Sequence, residues 1–254
     1  MIYPRFLYST LLRNIVPTFS GTTLSGMPPI NATDLMDWTY FRADSGNLDF
    51  TMTANTNIDA VAIYCKTASG SNSIVLQYES APATFTTLAT FSAPSGSLDL
   101  KTFTQVTVSS GRKLRFVITA ATTIDIRQLM AGVAMTAERG DWAGVAPPKF
   151  LSGVKVTNNI GANGSILGRS IKRVERTGKI KLDLLTDTWV RATWEPFARH
   201  FAKYPFIYQW DPTGHAADIA FCYADGVTPP SHTTNGYLMA EVSIKMLVAD
   251  SEAL

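Results

Sequence analysis

Between Thr186 and Trp210 the chain reads TDTWVRATWEPFARHFAKYPFIYQW, and in no other window do apolar residues recur at helical rather than strand spacing. A chain with strand spacing elsewhere and one helical window is expected to be mainly β, with a helix laid on a sheet. Trp194, Phe197, Ala198 and Phe201 fall at i, i+3, i+4 and i+7, while Glu195, Arg199 and Lys203 take the opposite side. Thr193 is placed to cap the start, which puts Pro196 in the first turn, where a missing amide costs nothing. A start near Thr188 would instead leave Pro196 to kink the helix. Pro205 ends the pattern, and Phe206 to Trp210 resumes as a strand.

Pro4, Pro17, Pro28 and Pro29 restrict residues 1 to about 30 to short extended pieces, an arm or a first edge strand. Strand patterns then follow at close spacing: Leu48 to Thr53, Ile58 to Tyr64, Ile74 to Glu79, Phe85 to Phe91, Thr102 to Val108, Leu114 to Ile118 and Ile124 to Met130. Turn chemistry separates them in Ser69-Gly70-Ser71-Asn72, Ala93-Pro94-Ser95-Gly96 and Ser109-Ser110-Gly111-Arg112. Seven strands without a helix predict a sandwich or barrel. Met135 to Lys149 breaks the rhythm with two glycines and Pro147-Pro148, so the domain boundary falls there: residues 1–137, then 138–254. In the second part Asn163-Gly164 reads as a hairpin turn, and Ile171 to Arg176 is expected to pair with Lys179 to Leu184. After the helix come Phe206 to Trp210, Asp218 to Tyr223 and a last strand with Val242, Ile244 and Met246 on one face. The expected fold is therefore a β-sandwich followed by a β-sandwich with one flanking α-helix.

Charged residues make up 17% of the chain, against about 25% in ordinary soluble domains. Such a surface tolerates being covered, as in a subunit of an assembly, although a Thr-rich sandwich on its own looks similar. A formal charge of +2 argues against nucleic acid or an anionic membrane as partner. Cys65 and Cys222 read as buried free thiols, with a bridge between them left open. The N-terminal MIYPRFLYSTLLRNIV is interrupted by Pro4, Arg5 and Arg13, so it reads as neither a signal peptide nor a membrane span. The expectation is synthesis in the cytosol, with any exit by another route.

No GxSxG, HExxH, P-loop or GxGxxG motif occurs with suitable flanks, so the reading is a protein that is not an enzyme and takes no cofactor. Nothing singles out Asp34, Asp37, Asp141 or Glu195 for glycoside hydrolysis. Asp211, His215 and Asp218 in DPTGHAAD have metal-like spacing, but a polar turn is the plainer reading, and no metal site is assigned. His200 reads as a partly exposed helix histidine. Arg169, Lys172, Arg173, Arg176, Lys179 and Lys181 make a basic hairpin, read as solvated. Trp38 and Tyr40, beside Phe41, have the chemistry of a sugar platform, but the burial habits of large aromatics favour core packing for Trp38.

Through PINATDLMDWTYFRA, LDFTM and IDAVAIYC, residues 5 to 135 resemble the discoidin-type, galactose-binding-like jelly roll found near the start of some bacteriophage tail proteins. Through LGRSIKRV, the block from WEPFARH to PFIYQWDP, and AFCYADG, the second part resembles phage tail-tip and distal-tail proteins. The resemblance implies a structural component of the virion tail tip or baseplate. Such a protein assembles as a homo-oligomeric ring with other tail proteins, its jelly roll facing outward towards host surface glycans. The jelly roll comes first here, unlike in distal-tail proteins, which leaves open whether the chain forms a ring or decorates one. Trp189, Trp194, Phe197, Phe201 and Trp210 are the expected packing and assembly anchors, and Trp38 and Tyr40 the candidate glycan contacts. The alternative is a stand-alone carbohydrate-binding protein.

Overall fold

The computed structural model describes residues 3–24, 26–36, 38–67, 72–92, 98–121, 123–140, 147, 153–160, 162, 165–175, 177–232 and 236–247. In chain order the first strands are β1 (Arg5–Leu7), β2 (Thr18–Phe19), β3 (Phe41–Ala43), β4 (Gly46–Thr51), β5 (Thr56–Thr67), β6 (Ser73–Ala81), β7 (Thr84–Ser92) and β8 (Leu98–Val108). Then come β9 (Lys113–Thr119), β10 (Ile124–Gly132), β11 (Met135–Thr136), β12 (Gly153–Ile160), β13 (Ile166–Glu175), β14 (Thr177–Leu185), β15 (Phe206–Asp211), β16 (His215–His232) and β17 (Leu238–Leu247). The seven strands expected from Leu48 to Met130 all form. Of the turns between them, Ser109 to Arg112 is described, with Gly111 at φ +77° and its N–H on the Met52 carbonyl. Residues 69–71 and 93–96 lie outside the described residues, as do 141–146, 148–150 and the Asn163-Gly164 turn.

The first half is a β-sandwich of jelly-roll type. Sheet I runs β2-β4-β9-β6-β7 and sheet II runs β3-β10-β5-β8, with every pairing antiparallel. Leu48, Phe50, Ile63, Cys65, Leu76, Phe116 and Ile126 fill the space between them. Alternation along β5 turns Val61, Ile63 and Cys65 towards sheet I and leaves Ala60 and Ala62 on the far face. That far face is also covered. Sheet III, in the order β11-β1-β15-β16-β17-β14, lies against it and buries Leu7, Ile207, Ile219 and Phe221 with Ala60, Ala62, Leu100 and Met130. Sheet II is thus a central layer, which is why β5 and β10 bury apolar residues on both faces.

Sheet III carries the helical segment on its other face, over a third core that includes Phe6, Ile180, Leu182, Phe206, Tyr208, Val242 and Ile244. Two strands depart from expectation. β1, given by sequence order to an arm or to the edge of the sandwich, lies between β11 and β15 in the interior of sheet III. Phe6 explains this: its ring sits 5.0 Å from Phe197 and 5.3 Å from Tyr208. β13 pairs with β12, while β14 pairs with β17 rather than with β13. The dry face of Ile180 and Leu182 matches the third core, and that match outweighs the short loop that proximity favoured.

The helix forms but starts earlier than expected. Thr186, not Thr193, is the N-cap, and its hydroxyl accepts the Trp189 N–H at 3.2 Å. That hydroxyl also donates to Glu138 at 2.9 Å, a partner 48 residues away that local spacing does not reveal. An α-helical turn at Asp187–Trp189 leads into a π-helical turn at Val190–Trp194 and then an α-helix at Glu195–Phe201. The Glu195 N–H bonds the Val190 carbonyl five residues back. The widened turn makes room for the Pro196 ring, so proline sits inside the helical segment instead of beginning it.

Candidate functional site

The segment before β3 is built to hold one aromatic residue in solvent. Pro28-Pro29 opens a 3-10 turn at Pro29–Ala32, and Ala32 and Thr33 are buried. The Asp34 carboxylate then accepts the Met36 N–H at 2.9 Å and the Thr39 hydroxyl at 2.7 Å, closing an Asx turn. Within that turn Leu35 takes φ +64°, and its side chain goes down into the seam between sheets II and III. The two carbonyls of the turn are held from opposite layers. Gln128 of β10 donates to the Met36 carbonyl at 2.7 Å, and the Tyr223 hydroxyl of β16 donates to the Leu35 carbonyl at 3.1 Å. Leu35 takes the buried place, and Trp38 stands out at 69% exposed.

This corrects the expectation of core packing for Trp38. Trp38 lines a cleft of about 460 Å³ at the junction of the sandwich with sheet III, together with Tyr204, Tyr223, Arg13, Lys203 and Lys245. That volume is in the range of about 300–1,000 Å³ usual for ligand sites. Tyr204 is placed by the end of the helix, where the N–H groups of Lys203 and Tyr204 both donate to the His200 carbonyl at 3.0 Å. The Arg13 guanidinium lies 4.8 Å from the centre of the Tyr204 ring. Tyr223 and Lys245 are cross-strand partners on β16 and β17. Tyr40, half-buried, sits beside the Arg42 guanidinium at 5.3 Å and is not among the residues lining the cleft.

The remaining candidates go elsewhere. Trp194, Phe197 and Phe201 are at most 2% exposed, and Trp189 and Trp210 pack half-buried against the same core. Phe197 is the hub, with ring centres at 4.8 Å to Phe201 and 5.0 Å to Phe206. Asp211 is the polar turn: it accepts the Gly214 N–H at 2.9 Å and the Thr213 N–H at 3.1 Å, which hold its carboxyl below the usual carboxylate range. Among the described residues no three His, Cys, Asp or Glu side chains gather as a metal site. His200 packs half-buried between Tyr8 and Tyr204, and burial holds it below the ordinary histidine value against the opposing pull of the Pro205 carbonyl. Cys65 and Cys222 are free and buried in separate cores, and burial raises both thiols. The side chains of Arg169, Lys172, Arg173 and Arg176 lie outside the described residues, as does Asp37. Among the described residues no helix is long and apolar enough to cross a membrane.

No protein-family model matches the chain, and no curated protein matches it in sequence. Among solved structures it is similar to the carbohydrate-binding module CBM32-1 of a family 31 glycoside hydrolase from Clostridium perfringens. The identity is 15%, over 49% of this chain and 98% of that one, at a TM-score of 0.41. It is also similar to chitosan-binding module 1 of a chitosanase/glucanase from Paenibacillus sp. IK-5, at 19% identity, 48% and 96% coverage and a TM-score of 0.40.

Sequence reasoning put Trp38 on its short list but missed Tyr204, Tyr223, Arg13, Lys203 and Lys245. They come from the start, the helix end and the last two strands, so only the packing of sheet III on sheet II brings them together. The turn signal of Asp34 was the one local clue that Trp38 leaves the core.

Proposed function

We propose that the chain is a non-catalytic carbohydrate-binding protein whose ligand lies in the cleft between sheets II and III. The reading is carried by Trp38, an indole exposed on a turn whose carbonyls are fixed by Gln128 and Tyr223. A rigid apolar face in water stacks on the C–H face of a pyranose ring, and Tyr204 and Asp34, which line the same cleft, offer hydrogen bonds to hydroxyl groups. Screening the purified protein on a glycan array, followed by calorimetric titration of the best ligand, tests the reading. Trp38→Ala is expected to weaken binding by about 2 kcal/mol, roughly thirtyfold, with no change in melting temperature. Unchanged affinity in that variant overturns it.

A second reading, a virion tail-tip subunit packing with copies of itself and neighbouring tail proteins, is favoured by the β12–β13 ribbon. That ribbon is a separate two-stranded sheet with Ile160 at 65% and Leu167 at 75% exposed, and two strands alone are marginally stable in water. The solution mass distinguishes them: a single ring-sized species supports the subunit reading, and a monomer at all concentrations contradicts it.

A further inference from the structure

We infer that the sugar taken by the Trp38 cleft is anionic, carrying a carboxylate or sulfate that is bound by Lys203 and Arg13. This rests on the carbohydrate reading and specifies its ligand. Among the described residues three cations, Arg13, Lys203 and Lys245, line the cleft with one carboxylate, Asp34. Asp34 accepts from the Thr39 hydroxyl and the Met36 N–H, and among the described residues it forms no ion pair with any of the three cations. Lys245 is paired with Asp225 at 3.0 Å, but Arg13 and Lys203 pair with no carboxylate among the described residues. The excess is local, because the whole chain carries 22 Lys and Arg against 20 Asp and Glu.

The arrangement also orients the charges. Arg13 is drawn to the Tyr204 ring, and Lys203 precedes that tyrosine at the turn that ends the helix. Both cations line the same cleft as the indole. A ring stacked on Trp38 would share the cleft with them. A neutral hydroxymethyl group there would leave both cations without a counter-charge. A carboxylate or sulfate supplies acceptors of the right sign, and charge-assisted hydrogen bonds are the stronger kind.

Titration with oligogalacturonate, a sulfated oligogalactan and a neutral oligogalactan, each at low and high salt, tests this. The acidic oligosaccharides should bind at least tenfold more tightly than the neutral one, and that advantage should shrink as salt screens the charges. The sulfated and carboxylated arms tell the two sources of charge apart, and preference for either supports the inference. Lys203→Gln should weaken acidic binding about threefold and Lys203→Glu about tenfold, with neutral binding unchanged. Lys203 is exposed, so neither variant should alter the melting temperature, which is measured alongside. Equal affinity for neutral and acidic oligosaccharides overturns the inference while leaving the carbohydrate reading intact. Loss of the neutral and acidic arms alike in Lys203→Glu also overturns it. Binding of none of the oligosaccharides overturns the inference, and the carbohydrate reading is then decided by the glycan array.

Discussion

Trp38 is exposed on a turn in which Asp34, Leu35 and Met36 are each held by something else. Asp34 closes the turn, Leu35 fills the seam, and Met36 is fixed through its carbonyl by Gln128. The price of this geometry is a leucine at φ +64°, a conformation that non-glycine residues seldom adopt. Burial of the Leu35 side chain at 5% exposure offsets that strain. Leu35→Gly would relieve the backbone but empty the seam, so a net loss of about 1–3 kcal/mol is expected in chemical denaturation. Tyr223→Phe removes the hydroxyl that holds the Leu35 carbonyl and should destabilise the fold by about 1 kcal/mol. Looser positioning of Trp38 should also weaken ligand binding in that variant. Full affinity in Tyr223→Phe would mean that the turn positions the indole without help from sheet III.

At the scale of elements, the helical segment depends on contacts that local spacing does not show. Amphipathic periodicity from Trp194 to Phe201 identifies the buried face, and all three large aromatics predicted for it are in the core. The start was misplaced because Thr186 and Thr193 are equally good caps in isolation. Glu138 decides between them, with bonds to both the backbone N–H and the hydroxyl of Thr186. Thr186→Ala should therefore cost about 1–2 kcal/mol, whereas Thr193→Ala should be near neutral. A similar loss in both variants would contradict the assigned cap. Strand positions were legible for the same reason as the helix, since turn chemistry and alternation are local. Partners were not. β14 could satisfy its dry face against β13 or β17, and only the Ile180–Val242 register in sheet III settles the pairing. The Trp38 cleft was illegible in the same way, because its wall is assembled from both ends of the chain.

At the scale of the molecule, sheet I, sheet II, sheet III and the helix stack as four layers, and the seam core of the two inner sheets supports the cleft. Acid should loosen this stack in two stages. Burial holds the folded-state value of His200 below its ordinary value of about 6.5, so the unfolded chain takes up the proton first. Stability is then full above about pH 6.5 and declines as pH falls through that value towards the lower folded one. Melting curves from pH 8 to 5 should show this slope in the wild type and a shallower one in His200→Gln. Asp49 acts lower. Burial raises its carboxyl, but bonds from Arg115 at 2.7 Å and Lys113 at 3.2 Å outweigh this and hold it below the usual range. Its contribution is present above about pH 4 and is lost as pH falls through the lower folded value.

The cleft and its indole are the centre of this account, and a crystal structure of the protein soaked with its best array ligand tests them most directly. A pyranose ring stacked on Trp38, with its substituents reaching the Lys203 side, is the predicted result. A sugar bound elsewhere on the sandwich, with the cleft between sheets II and III empty, would contradict the account.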